Sequence, residues 1–579
     1  MKNIPYQKYK DLVSKYEVIV NRLASIRLVM FIVMVISFIL KYYYYKMLFQ
    51  IIFVLSLVSF IILVIVSCKY FKVYDYYVKY LAVIDTYISR LNGKWKNFED
   101  KGTEFLETDK YYLEDLDIFG DCSLFQYLTV CKTNGGRDRL ASKLSNVKLT
   151  DKEYNSSQKL IEELASDLDF CVNFQVMMDY YNKKDINLSK ELDAFKNNVG
   201  SKYRDFIIGI IASVICVGLF MLGYFKVINL SYFYGMFFFN LLISFLYLFI
   251  YKEEFDKIDK VVRNYSKLFK VFEFVGNYNA HSSVLIKMSN DMKEGLSNIK
   301  ALRKLDELNS LKNNFLSGFL LNGMMCLNLF IMHKYILIVE SDLKNLLNSI
   351  KDIEELEAMI SLAGICILKE NKCMPIMTND IGLNFSGIKH PLIDEEKSVS
   401  NDFNTKEGVN IITGSNMGGK TTFLRTIGIN LILMQAGTYV CADDFKASYF
   451  KLFTSMRVTD NIDKGISTFY GELLRIKDMV EYVNSGKMLV LIDEIFKGTN
   501  YNDRIYGAKE VVRKLNNKNT VAFITTHDFE LCESSRVKNY HVKEDYEGDK
   551  IVFDYKIRKG KCSSTNAKYL MKKLGIIDK

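Results

Sequence analysis

A glycine-rich stretch in the C-terminal third of this 579-residue chain constrains its fold more than any other feature. Residues 414–422, with the letters GSNMGGKTT, fit the P-loop pattern G-x-x-x-x-G-K-[ST]. They lie between a strand-like apolar run from Val409 and a helix-like run from Thr422. An ordinary glycine-rich turn between a strand and a helix is the alternative, and this flanking pattern disfavours it. The stretch therefore predicts an α/β domain with a phosphate-binding loop.

The loop chemistry predicts ATP and Mg²⁺ as ligands. Glycines let backbone N–H groups wrap phosphate oxygens, and the following helix adds its positive N-terminal end. Lys420 would reach the β- and γ-phosphates, and the Thr421 hydroxyl would bind Mg²⁺. The predicted nucleotide-binding residues of the loop are Gly414, Ser415, Asn416, Met417, Gly418, Gly419, Lys420, Thr421 and Thr422.

A second apolar strand, 488–492, ends in the acidic pair Asp493 and Glu494. In an open parallel sheet such residues lie at the carboxyl edge, beside the ligand. Asp493 would hold Mg²⁺ together with Thr421, and Glu494 would orient or deprotonate the attacking water. A strand-end acidic pair without any metal is the alternative, which the neighbouring loop disfavours.

A third strand, 521–524, leads into Thr525, Thr526 and His527. The imidazole of His527 would point at the γ-phosphate, although a histidine after a strand is more often structural. Catalysis would then rest on Lys420, Mg²⁺, Glu494 and His527, through positioning and stabilisation of charge.

Two pairs of long apolar runs precede this domain. The first pair covers 28–40, extended by tyrosines, and 47–68, while the second covers 206–225 and 227–251. Runs of this length can cross the hydrocarbon layer as helices, and basic residues flank both pairs on the side of the long middle segment. We expect two membrane hairpins, four spans in a cell membrane, with both termini cytoplasmic. Buried core helices are the alternative.

A further apolar stretch, 315–332, is interrupted by Asn322 and Asn328. We interpret it as soluble helical core because its asparagines fit a packed interior better than a span. Leucines and isoleucines at three- and four-residue spacing over 343–360 predict a core-facing helix.

Composition adds weaker constraints. The net charge of +10 suits nucleic acid or anionic lipid as a partner without selecting either. The eleven cysteines form no Cys-x-x-Cys pair, which favours reduced thiols, and the five histidines are dispersed, so no structural metal is expected.

These patterns predict a multidomain chain. Transmembrane helical hairpins and an all-α core precede a C-terminal α/β domain of the P-loop NTPase class. The predicted segments are a basic N-terminus (1–27), hairpin 1 (28–68), a first section of the helical core (69–205), hairpin 2 (206–251), a helical lever with the second section of the core (252–379) and the ATPase domain (380–579).

The order of motifs resembles the ABC-type ATPase domain of the MutS mismatch-repair family. The resemblance is carried by TGSNMGGKTT at 413–422, STF at 467–469, LIDE at 491–494 with GT at 498–499, and THDFEL at 526–531. It covers about 380–579 strongly, and it continues more weakly through 134–158 and 321–363 as the family's core and lever regions.

The resemblance implies a dimer in which each ATPase domain completes the site of the other. Carried over, Ser467 would act on the γ-phosphate bound by the partner subunit, and Tyr555 would place its ring against adenine. Ser467 also fits a helix N-cap, and the two roles are compatible.

Two departures from the family change the expected output. The first 70 residues leave no room for a mismatch-reading domain, and the second hairpin interrupts the levers where the family carries its DNA clamp. We therefore predict a membrane-anchored, homodimeric MutS-like ATPase that contacts lipid and whose nucleotide cycle moves its levers. Binding of DNA stays open, the alternative being a membrane switch or scaffold without affinity for DNA.

Overall fold

The computed structural model describes residues 6–44, 47–107, 109–145, 148–180, 203–415, 417–457, 468–547 and 550–561. The chain forms two compact units, residues 1–94 with 169–180 and residues 95–168 with 181–579. The α-helices of the described residues are α1 (Tyr6–Tyr44), α2 (Met47–Leu91), α3 (Tyr112–Asp115), α4 (Leu124–Leu128), α5 (Asn134–Leu144), α6 (Asp151–Ser166), α7 (Leu168–Asp179), α8 (Tyr203–Tyr224), α9 (Ser231–Ile250), α10 (Lys252–Ser266), α11 (Phe269–Gly276), α12 (Ser283–Asn313), α13 (Phe315–Met325), α14 (Leu327–Leu368), α15 (Lys420–Gln435), α16 (Thr468–Tyr482) and α17 (Tyr501–Leu515).

The first unit is built on the antiparallel pair α1 and α2. Their aromatic side chains meet in order along the pair, with ring centroids 3.9 Å apart for Tyr9 and Tyr80 and 5.5 Å apart for Phe38 and Phe53. The helices are 39 and 45 residues long, so each extends well beyond the apolar run predicted as a span. Most apolar side chains of these runs face outward and are exposed.

Among the residues that the structure describes, four helices are long and apolar enough to cross a membrane, namely those at Tyr6–Tyr44, Met47–Leu91, Arg204–Tyr224 and Ser231–Ile250. The last begins at Ser231 instead of the expected 227, because a turn with Lys226 in left-handed backbone (φ 57°) separates it from α8. A fifth candidate is the bent pair Phe315–Met325 and Leu327–Ile338, whose axes meet at 83°.

Helix α13 differs from the soluble core helix expected over 315–332. Phe315 is 86% exposed and Leu316 70%, whereas the small or polar Gly318, Asn322 and Gly323 are buried. A soluble core would show the reverse pattern. By contrast, the predicted stripe of the following helix is confirmed, since Ile350, Ile353, Leu356 and Ile360 of α14 are buried.

The α/β domain contains two sheets. The strands are β1 (Ile376–Thr378), β2 (Leu383–Ile388), β3 (Asn401–Thr405), β4 (Gly408–Thr413), β5 (Asp444–Ser448), β6 (Lys451–Ser455), β7 (Met488–Asp493), β8 (Thr520–Thr525), β9 (Lys538–Glu547) and β10 (Lys550–Lys559). The smaller sheet has the order β1-β5-β2-β3 and the larger has β10-β9-β4-β8-β7-β6.

The centre of the larger sheet positions the predicted site. Strands β4, β8 and β7 are adjacent and parallel, with Ile412 and Asp493 both paired to Thr525. Every residue of β4 and β8 is buried, as is normal for a parallel sheet covered on both faces. The chain segments that leave the carboxyl ends of these three strands therefore meet at one edge.

Candidate active site

The glycine-rich loop joins β4 to α15. Lys420 is the first residue of the helix, and its buried ammonium donates to the carbonyl oxygens of Gly414 (2.7 Å) and Ser415 (2.8 Å). Gly414 and Gly419 have φ values of 137° and 84°, a backbone region that L side chains rarely adopt. The loop thus closes around the lysine, with its glycines at the positions that need them.

Asp493 and two hydroxyl groups form an oxygen-rich cluster beside the loop. The Thr421 hydroxyl donates to one Asp493 carboxylate oxygen (2.8 Å), and the Thr525 hydroxyl donates to the other (2.6 Å). Hard oxygen donors of this kind fit Mg²⁺, which proteins bind through one or two carboxylates plus phosphate oxygens and water. Within the described residues, no three His, Cys, Asp or Glu side chains group to hold a metal ion by themselves.

Glu494 turns away from Asp493 toward His527. Its backbone is left-handed (φ 59°), and its N–H donates to the Thr525 carbonyl oxygen (3.1 Å). The His527 Nε2 lies 3.2 Å from a Glu494 carboxylate oxygen and 3.4 Å from the Lys420 Nζ. The hydrogen bond with His527 lowers the pKa of Glu494 to about 2, and the charge of Lys497 acts in the same direction. The carboxylate is therefore ionised at neutral pH.

A cavity of about 380 Å³ opens on the other side of the loop, bordered by Met417, Gly419, His390, Asn401 and Tyr555. The Tyr555 ring lies against Gly419, where a Cβ would approach it within 2.9 Å. Asn401 donates from Nδ2 to the Tyr555 carbonyl oxygen (3.0 Å), which pins a residue in left-handed backbone (φ 54°). The planar, partly apolar walls suit a flat heterocycle.

His390 forms part of that wall as a neutral imidazole. Burial, with the nearby charges of Arg425 and Lys369, lowers the pKa of His390 to about 3. The backbone N–H of Leu392 lies 3.2 Å from His390 Nδ1, which therefore accepts and leaves the other ring nitrogen protonated.

The structure brings together most of the predicted residues, namely the described loop residues with Asp493, Glu494, His527 and Tyr555. Asn416 and Ser467 lie outside the described residues. Sequence reasoning did not assign Thr525 or Asn401 to the site. Thr525 stands two residues before His527 and could have been noticed, whereas nothing in the sequence marks Asn401.

Together, the fold and the site define an α/β protein with a glycine-rich loop, an acidic pair and a histidine at the carboxyl edge of a parallel sheet. The family model of MutS domain V matches residues 410–575. The C-terminal α/β domain therefore belongs to the MutS family.

The similarity to curated proteins is partial. A DNA mismatch repair protein MutS of Methanococcoides burtonii is 31% identical over 39% of this chain and 27% of its own length. Endonuclease MutS2 of Clostridium novyi is 31% identical over 35% and 27%. The MutS of Carboxydothermus hydrogenoformans is 28% identical over 54% and 38%. The chain thus spans between about a quarter and two fifths of the length of these relatives.

Proposed function

We propose that the chain is a membrane-anchored MutS-like ATPase that binds and hydrolyses ATP with Mg²⁺ at a composite dimer site. The observation that carries the proposal is the meeting of Lys420, the Thr421–Asp493 pair and the Glu494–His527 pair at the ends of three adjacent strands. These are the groups that phosphoryl transfer to water needs, since the reaction depends on positioning and on stabilisation of charge.

Each residue has a proposed role. Lys420 exchanges its two loop carbonyls for phosphate oxygens, and Thr421 with Asp493 holds Mg²⁺. Bound Mg²⁺ supplies neutralisation of the phosphate charge. Glu494 accepts a hydrogen bond from the attacking water, and because its pKa is about 2 it orients this water instead of removing a full proton. Tyr555 provides a face for the adenine ring, and Ser467 acts on the partner's nucleotide.

The proposed mechanical output runs through α14. This 42-residue helix begins at the break with α13 in the apolar bundle, and near its other end the Thr438 hydroxyl donates to the Leu362 carbonyl oxygen (2.8 Å). Thr438 follows shortly after α15, the helix that starts at Lys420. Movement of α15 would therefore be transmitted to the membrane-facing helices through α14, which is about 60 Å long.

The ATPase proposal is tested on the full chain in detergent or lipid nanodiscs. Lys420→Ala should abolish nucleotide binding or turnover, and chelation of Mg²⁺ should stop turnover. Glu494→Ala should retain ATP binding while turnover falls by about 10²-fold or more. Glu510→Gln, which breaks an exposed ion pair with Arg513 on α17, serves as the matched control and should be unaffected. A Glu494 variant with wild-type turnover would exclude this residue from catalysis.

Binding of DNA distinguishes two forms of the proposal. Two of the relatives are named DNA mismatch repair proteins, which supports a DNA-associated ATPase acting at the membrane. The apolar helices next to the lever support the alternative, a nucleotide-dependent membrane switch or scaffold. Affinity for duplex and branched DNA that falls steeply with salt would favour the first. Absence of binding at low salt would favour the second.

A further inference from the structure

Two aspartates of the helical core reach into the α/β domain and contact the elements around the candidate site. Asp115 ends α3, and Asp117 follows two residues later. Asp115 is fully buried, and its carboxylate accepts from the Thr454 hydroxyl (2.6 Å), the Arg457 backbone N–H (2.9 Å) and the Arg475 guanidinium (3.0 Å). One carboxylate therefore joins the end of β6 to α16.

Asp117 forms a second contact with the α/β domain, on α15, the helix that follows the glycine-rich loop. It accepts from Arg425 (2.9 Å), which lies on α15 one turn after the predicted Mg²⁺ ligand Thr421. It also accepts from the guanidinium of Arg457 (2.6 Å). Its backbone is left-handed (φ 52°), a conformation that is uncommon for residues other than glycine and asparagine. Asp117 thus ties α15 to the end of β6.

Leu116, between the two aspartates, packs on the same helix. It is fully buried and lies so close to Gly428 of α15 that a Cβ on the glycine would come within 2.6 Å of Leu116 Cδ1. The same imagined Cβ would lie 3.1 Å from Leu491 of β7, the strand that ends in the acidic pair. The three consecutive residues 115–117 therefore touch α15, β6 and α16, and α15 in turn packs on β7 at Gly428.

We propose that Asp115 and Asp117 are positioning residues that couple the helical core to the ATP site, so that the core and α15 change position together. The inference rests on the proposed ATPase function. Two features favour coupling over a purely stabilising ion pair. Both carboxylates bind Arg457, and Asp117 also binds Arg425 one turn after Thr421.

The test uses Asp117→Asn, because asparagine tolerates left-handed backbone and keeps the volume while it removes the charge. Asp115→Asn would leave Arg475 buried without its carboxylate and could prevent folding. We expect Asp117→Asn to lower the kcat for ATP by about fivefold or more, with the KM for ATP within about twofold of wild type. Arg425→Gln should lower kcat in the same direction, and the double variant should show no further loss beyond Asp117→Asn, because Asp117→Asn already removes the Asp117–Arg425 ion pair.

A second readout separates coupling from stability. Mg²⁺ with a non-hydrolysable ATP analogue should slow backbone hydrogen exchange in peptides covering 111–119 of the wild-type chain, and this change should be lost in Asp117→Asn. Glu510→Gln on α17 is the control and should keep both turnover and the exchange response.

The outcomes distinguish the two proposals. A wild-type protein without ATP turnover would contradict the proposed function. An active wild type, with Asp117→Asn matching it in kcat and in exchange response, would overturn the coupling alone, even if the variant melts at a lower temperature. Additive losses in the double variant would also overturn it.

Discussion

Helix α13 and the C-terminal half of α14 are both rich in apolar residues, but they bury opposite kinds of side chain. In α13 the buried residues are Gly318, Asn322 and Gly323, while both phenylalanines and two of its three leucines are exposed. In α14 the buried residues include Ile353 and Leu356, while charged side chains such as Lys351 face outward.

The difference indicates two different surroundings. Water favours apolar side chains inside and polar ones outside, and the apolar stripe of α14 follows this rule. Glu354 and Glu357 are buried exceptions, and each has a partner in α5 or the residues just before it. In hydrocarbon there is no such preference between helices, so small residues and side-chain hydrogen bonds hold a bundle together. Around α13 the Asn240 amide donates to the Gly323 carbonyl oxygen (3.0 Å), and the Asn328 amide donates to the Ser244 carbonyl oxygen (3.2 Å). This inverted burial supports the proposed membrane location of the bundle.

The largest expected effect comes from the same substitution at the two sites. Leu356 is fully buried and Leu316 is 70% exposed. Leu356→Ala should lower the free energy of unfolding by about 2–5 kcal/mol, since it loses buried surface and leaves a cavity. Leu316→Ala should change it by less than about 0.5 kcal/mol in detergent. Thermal or denaturant unfolding of the purified variants measures both.

Equal losses at the two positions would contradict the comparison, because they would place Leu316 in a packed interior.

The comparison also shows where prediction from sequence succeeds. The apolar stripe of α14 repeats at helical spacing, so its core-facing side could be predicted. The soluble-core interpretation of 315–332 stays a prediction, because hydropathy does not show that Asn322 and Asn328 are hydrogen-bonded at a helix break. Asn328, for example, donates its backbone N–H to the Asn322 side-chain oxygen (3.0 Å) across the helix break.

Prediction from sequence is limited in the same way at the candidate site. The loop, the acidic pair and His527 each follow a strand, so their meeting could be predicted from a parallel sheet. The contact between Asp115 and Arg475 joins residues 360 positions apart, and neither belongs to a pattern. Long-range pairing of this kind depends on how the helical core docks, which local propensity does not encode.

A second prediction concerns pH dependence near the C-terminal end of α14. Burial raises the pKa of Glu357 to about 7, although Thr133 and the Lys132 backbone N–H donate hydrogen bonds to its carboxylate. The pKa is higher in the folded chain than in the unfolded one. The folded chain therefore binds more protons between about pH 4.5 and 7, and this contribution to stability is lost as pH rises through that window.

From pH 5 to pH 8 the loss should be about 2 kcal/mol. In Glu357→Gln the difference between melting temperatures at these two pH values should be smaller than in wild type. An unchanged difference would show that Glu357 has an ordinary pKa. Lowered stability at both pH values would report only the lost hydrogen bonds to Thr133 and Lys132.

The substitution with the smallest expected effect tests the bundle around α13. Asn240 is fully buried in the bundle, and its amide donates to the carbonyl oxygen of Gly323. Asn240→Leu keeps the volume and makes the helix more apolar. This substitution would therefore stabilise the hydrophobic core of a water-soluble bundle. In a bundle held by polar contacts it should instead cost about 1–2 kcal/mol, because the Gly323 carbonyl keeps only the Cys216 thiol as donor. Asn229→Leu, at an exposed turn of the same bundle, should cost less than about 1 kcal/mol. Higher melting temperature in detergent for Asn240→Leu would mean that the inverted burial of α13 does not stabilise the bundle, and the contrast with α14 would then lose its physical basis.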